Sequence, residues 1–122
     1  MRDFRELEVW RRGHRLTLDV YETTAAFPRQ EIYGLTRQMR RASAAVSANI
    51  AEGCGRGSNA DLARFLQMAL GSASELDNHL LLARDLALME PADHERLAGE
   101  VEQLKRMLTS FVKNLRAFAN KT

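Results

Sequence analysis

Residues Asn49 to Ser58 read N-I-A-E-G-C-G-R-G-S, three glycines alternating with a cysteine and an arginine. Two chemistries use such residues. One is a glycine-rich loop whose backbone N–H groups cradle a phosphate, and the other is a thiol activated by a nearby cation. A phosphate loop needs a strand entering it and a helix leaving it, and the Walker form adds a lysine after the second glycine. Here a helical pattern enters and that lysine is missing. The phosphatase spacing C-x5-R also fails, because position 60 is alanine. The stretch is expected to be a hinge: Gly53 closes one helix in a left-handed conformation, Gly55 and Gly57 allow the reversal, and Ser58 caps the next helix. Cys54 is incidental in this reading. Arg56, beside the exposed N–H groups of that next helix, is expected to contact an anion.

Polar side chains at helical spacing are the second source of chemistry. Gln38, Arg41, Ala45, Asn49 and Glu52 form one stripe, and Phe65, Met68, Ser72, Glu75 and His79 form another. Glu75-x-x-x-His79 puts two metal-ligating groups one turn apart, but the di-iron bundle pattern of two Glu-x-x-His pairs and two further glutamates is absent. Glu52 and Glu75 lack the nucleophile or partner histidine that acid–base catalysis would use. The stripes are therefore expected to form a structural polar network of Gln38, Asn49, Glu52, Ser72 and Glu75, with Arg41 pairing with Glu75 and Asn49 with Glu52. No catalytic residue, metal or cofactor is expected.

The elements that position these residues are legible from periodicity. The 122 residues include only two prolines, are 45% hydrophobic and 28% charged, and are rich in Ala, Leu, Arg and Glu, which points to an all-α domain. Apolar residues recur at helical spacing in four segments, expected at about 6–26, 32–52, 59–89 and 92–118. The first seam is Leu7, Trp10, Thr17, Val20, Tyr21 and Thr24, with Gly13 and His14 as weak points, and Phe27-Pro28 ends it. The second is Ile32, Leu35, Met39, Ala42, Val46 and Asn49. The third steps four and three without a miss through Leu62, Leu66, Ala69, Ala73, Leu76, Leu80, Ala83 and Ala87. The fourth is Leu97, Val101, Leu104, Leu108, Phe111, Leu115 and Phe118. Such seven-residue repeats favour near-parallel packing, and short connections favour an antiparallel up-down-up-down four-helix bundle spanning 1–122 as one domain. The small residues of Ala42–Ala48 make the second helix buried on two sides, which implies a closed homo-oligomer.

Charge and cysteine usage narrow the surroundings. The amino-terminal residues lack the apolar core of a signal peptide, no run of about 18 apolar residues exists to span a bilayer, and a single cysteine suits a reducing cytoplasm. Net charge is only +2, yet no acidic residue lies between Glu31 and Glu52, where Arg37, Arg40 and Arg41 share one turn. With Arg11 and Arg56 these arginines are the candidate nucleic-acid contacts, since guanidinium forks match phosphate oxygens. Arg12 and Arg15 are expected to pair with Glu8 and Asp19 along their own helix. The aromatic residues are few and mostly assigned to seams, which argues against reading single strands by stacking.

Several phrases in order resemble a known family: Leu7-Glu-Val-Trp10, Phe27-Pro28 with Glu31 and Gly34-Leu35, Gln38-x-Arg40-Arg41-Ala42, Ser47-Ala-Asn-Ile-Ala-Glu-Gly53, Gly55-Arg56 and Gly71-Ser-x-x-Glu75-Leu76. Together they resemble the 23S rRNA intervening-sequence proteins, also called the four-helix bundle protein family, over about residues 4 to 118. The resemblance implies a small bacterial cytosolic protein, a left-handed four-helix bundle and a homopentamer. It also implies kinship with the basic accessory protein of diversity-generating retroelements, which works with a reverse transcriptase and nucleic acid. It supplies no reaction. The expectation is thus a non-enzymatic oligomeric module that binds structured RNA or a nucleoprotein partner through its arginines. The alternative is a purely structural or protein-interaction module.

Overall fold

The computed structural model describes residues 2–121, with side chains described through Phe118, so Met1 and Thr122 of the expected 1–122 domain lie outside the described residues. Four helices account for most of the chain: α1 Glu8–Thr24, α2 Leu35–Gly55, α3 Asn59–Asp85 and α4 Pro91–Lys121. Short 3₁₀ turns at Phe4–Glu6 and Arg29–Glu31 precede α1 and α2, and no strand occurs among the described residues. Contacts close a ring in which α1 touches α2 and α4, and α3 touches α2 and α4, while the diagonal pairs do not meet among the described residues. Cross-helix partners run in opposite numerical senses. The Thr17 hydroxyl reaches the Ser43 carbonyl at 3.0 Å, whereas Arg40 reaches Thr24 at 2.9 Å; Arg12 meets Met107, whereas Asp19 meets Arg96.

The four helices bury one continuous cluster of side chains, including Val20, Met39, Val46, Ile50, Leu66, Leu76, Leu80, Leu97, Leu104 and Leu108. The seams expected on α3 and α4 are largely the buried ones, with corrections at their ends. Ala87 lies beyond α3 and is exposed, and Phe118 is exposed while Val112 is buried in α4. On α1 the buried face is Val9, Gly13, Leu16, Val20 and Thr24, so Tyr21 points outward and Gly13 faces the core. On α2, Ile50 follows Val46 into the core and Asn49 stays half-buried, because a real helix of 3.6 residues per turn drifts away from a strict seven-residue seam. Ile32 precedes α2 and is exposed.

The helix ends differ from expectation for local reasons. Gly53 does not terminate α2. The helix continues to Gly55, and Gly53 is buried within it. A Cβ built at Gly53 would lie 2.8 Å from the Cβ of Phe65 and 3.1 Å from Cδ1 of Leu62, so the missing side chain is what lets α2 and α3 approach. Gly57, at φ +89°, supplies the left-handed turn instead. Ser58 then caps α3, its Oγ accepting the Asp61 N–H at 3.1 Å. At the far end α3 stops four residues early, because Ala87 adopts φ +59°. The Leu88 N–H donates to the Ala83 carbonyl and the Ala87 N–H to the Arg84 carbonyl, both at 2.9 Å, completing a Schellman closure without its usual glycine. Pro91 opens α4, where its missing N–H is harmless.

Candidate nucleic-acid interface

The five candidate arginines divide into two groups. Arg11, at the start of α1, donates to the Arg5 carbonyl at 3.0 Å and pairs with Glu8 at 3.0 Å, stapling the amino-terminal turn to the helix. Arg40 donates to Thr24 Oγ1 at 2.9 Å and to the Tyr21 carbonyl at 3.3 Å. Its guanidinium lies 4.6 Å from the Tyr21 ring centre, so it braces the end of α1, where the Tyr21 carbonyl also accepts the Ala25 N–H at 3.1 Å. Arg56 lies 4.0 Å from the Asp61 carboxylate and 5.6 Å from the Phe65 ring centre. The negative charge beside the α3 terminus is thus the chain's own Asp61, which also pairs with Arg64 at 3.7 Å.

Arg37 and Arg41 differ. Both are exposed on α2, four residues apart, and neither makes an ion pair or side-chain hydrogen bond among the described residues. Residues i and i+4 of a helix share a face, so two uncompensated guanidinium groups stand side by side. Arg29, in the turn before α2, is likewise exposed and unpaired among the described residues. It was not among the sequence candidates; its signal was only an arginine beside a helix-opening turn. The acid nearest them in sequence, Glu31, is half-buried, with its Oε2 accepting the Leu35 N–H at 3.4 Å.

Phe65 of the α3 stripe is buried against α2, while the polar members of both stripes are exposed or half-buried, and the expected network does not form among the described residues. Asn49 donates to the Ala45 carbonyl of its own helix at 2.9 Å rather than to Glu52. Glu75 lies 3.7 Å from His79 Nε2 and makes no bond to Arg41. Gln38, Glu52 and Ser72 have no side-chain hydrogen bond among the described residues. Exposed Ala48, Met68, Leu82 and Leu86 interrupt the polar groups. No cluster of three or more His, Cys, Asp or Glu suited to a metal occurs among the described residues, so the Glu75–His79 pair has no third ligand there. Cys54 is buried, and desolvation pushes its thiol above the usual cysteine range, with the Arg2 charge opposing.

Sequence reasoning also missed two features. Arg96 at the start of α4 grips Asp19 with two hydrogen bonds of 2.9 and 3.1 Å and Asp93 with one of 2.7 Å. Asp19 is therefore taken, and Arg15 turns to Glu8 at 3.5 Å instead of to Asp19. These bonds hold the Arg96 guanidinium well above its ordinary pKa. Second, an open groove of about 970 Å³ runs along the α3–α4 surface, with acids such as Asp77 and Glu102 and bases such as Lys105 and Lys113 on its walls. Such mixed lining has no single-sign signature that a linear charge count could reveal.

No helix among the described residues is long and apolar enough to cross a membrane. Among proteins with curated descriptions, none matches the sequence. The fold is similar to that of a protein of unknown function from the S23 ribosomal protein family of Bacteroides thetaiotaomicron VPI-5482, whose crystal structure superposes with a TM-score of 0.77. That match has 21% identity and covers 86% of this chain and 98% of the other, so it carries the fold alone. The family model described as 23S rRNA-intervening sequence protein matches residues 5–110, and the chain therefore belongs to the 23S rRNA-intervening sequence protein family.

Proposed function

We propose that this chain is a non-enzymatic, homo-oligomeric helical-bundle module of the cytoplasm that binds structured RNA through arginine–phosphate contacts. The observation carrying the reading is the trio Arg29, Arg37 and Arg41: exposed, unpaired among the described residues, and set around the first turns of α2, where the sequence from 32 to 51 holds no acid. Contacts of this kind position a phosphate backbone without reading its bases. Arg11, Arg40 and Arg56 belong to the basic surface but act first within the fold, so their share in binding is smaller. The opposed numbering of cross-helix partners supports an antiparallel up-down-up-down arrangement, and the resemblance supports its left-handed sense and a pentamer.

Exposed Met68, Leu82 and Leu86 support the outer face of α3 as the contact between copies. The same face favours the second reading, a purely structural or protein-interaction module. An RNA duplex titrated at rising salt separates the two. The first reading expects affinity that falls steeply with salt and a shallower salt slope in Arg37→Gln/Arg41→Gln. Absence of binding at low salt, or affinity and slope unchanged in that double variant, would leave the second. Sedimentation as a monomer would remove the oligomer from both.

A further inference from the structure

We infer that Tyr33 is a stacking platform for an unpaired nucleobase, set beside the arginines that hold the adjoining phosphates. The inference rests on the RNA-binding reading and adds a feature to its partner: an unpaired nucleotide in a loop or bulge rather than uninterrupted duplex.

Aromatic surface in this chain is otherwise mostly covered. Trp10 stacks on His14 at 4.8 Å and packs against Phe4 at 5.0 Å. Tyr21 lies under Arg40, Phe65 under Arg64 and Arg56, and Phe111 under Arg2. Among the described residues Tyr21, Tyr33 and Phe118 are exposed, at 46%, 86% and 60%, and Tyr33 is the most open.

An open ring costs solvation free energy unless something covers it, and here the backbone holds it in place. The Ile32 N–H donates to the Arg29 carbonyl at 3.1 Å and the Gly34 N–H to the Glu31 carbonyl at 3.0 Å, so hydrogen bonds flank Tyr33 on both sides. With the backbone already ordered, stacking has only side-chain entropy left to lose. The electrostatics select the occupant. Arg29 lies four residues before Tyr33 and Arg37 four after, both exposed and unpaired among the described residues, while Glu31 Oε2 accepts the Leu35 N–H at 3.4 Å. An open ring on a segment that also carries two unpaired guanidinium groups fits a base with its phosphates better than an apolar protein surface, which would have to desolvate those charges.

The test compares two labelled RNAs with equal numbers of phosphates, a blunt duplex and a hairpin with an unpaired loop, at one low salt concentration. The full chain is expected to prefer the hairpin. Tyr33→Ser is expected to lower hairpin affinity by roughly five- to a hundred-fold, the range of one base–aromatic stack, while duplex affinity stays unchanged. Tyr33→Phe keeps the preference, and Arg29→Gln weakens both RNAs. Circular dichroism checks that each variant folds, which exposure of the site favours. Duplex binding without hairpin preference, or a preference that survives Tyr33→Ser, overturns the stack and spares the phosphate reading. Binding of neither RNA overturns both. A Tyr33→Ser variant that changes sedimentation but not the hairpin-to-duplex ratio shows that a protein surface covers Tyr33 and also overturns the stack.

Discussion

Replacing Gly53 by alanine isolates the contact that joins α2 to α3. Alanine in a helix interior is favoured over glycine by about 1 kcal/mol. At Gly53 the new Cβ would lie 2.8 Å from the Phe65 Cβ and 3.4 Å from the Leu62 Cα. Those atoms are part of, or one bond from, the α3 backbone, so no side-chain rotation relieves the clash and the helices must separate. Overpacking of this kind costs about 1–3 kcal/mol. The helix gain offsets part of it, leaving Gly53→Ala between neutral and about 2 kcal/mol destabilised. Gly71 and Gly99 provide the reference, since a Cβ at either meets nothing within 4 Å. Gly71→Ala and Gly99→Ala should each gain about 1 kcal/mol, near 4 °C in Tm. Gly13→Ala should also stabilise, because its Cβ would make ordinary contacts of 3.5 Å with Val46 and 3.6 Å with Ser47. Guanidinium chloride titrations of all four variants at one protein concentration provide the comparison, because self-association would make stability depend on concentration. A Gly53→Ala variant as stabilised as Gly71→Ala would refute the close-approach argument.

Other outcomes follow from single sites. Ala87→Gly should stabilise by about 1 kcal/mol in thermal melts, because the left-handed φ of +59° strains an alanine and suits a glycine; a lower Tm would contradict that helix end. Arg96→Met should cost about 1 kcal/mol, and more than Arg106→Met, since Arg96 holds two acids on two helices while Arg106 holds exposed Glu102 alone. Equal losses would show that the bidentate geometry contributes nothing beyond a surface pair. Cys54 should alkylate at least about tenfold more slowly in the native chain than in denaturant, because the buried thiol resists ionisation. Its folded pKa is raised, so its contribution to stability is complete below the unfolded value, roughly 8.5, and is lost as pH climbs through the folded one. A reaction rate unaffected by unfolding would contradict its burial.

The hinge at Asn49–Ser58 shows how far local signals reach. Its non-catalytic character was legible, since a helical pattern leads into it, and so was the Ser58 cap, which depends on residues three apart. The role of Gly53 was not. Its need for glycine comes from Phe65, twelve positions away, and no local propensity records that distance. Among the arginines, sequence marked a basic helix but could not divide Arg40, spent on the end of α1, from Arg37 and Arg41. Tyr33 was likewise invisible as an open ring, because a tyrosine beside a seam reads as core until the helix start is placed at Leu35.

Periodicity and composition thus determined four helices, most of the residues they bury, and the family, because these depend on repeats and phrases carried along the chain. Tertiary structure alone decided which charges are already paired, where helices approach too closely for a Cβ, and which polar stripe meets solvent. The physical reason is that each of these depends on a distance between segments far apart in sequence. The stretch N-I-A-E-G-C-G-R-G-S is therefore both a hinge, turning at Gly57, and a packing contact, made at Gly53.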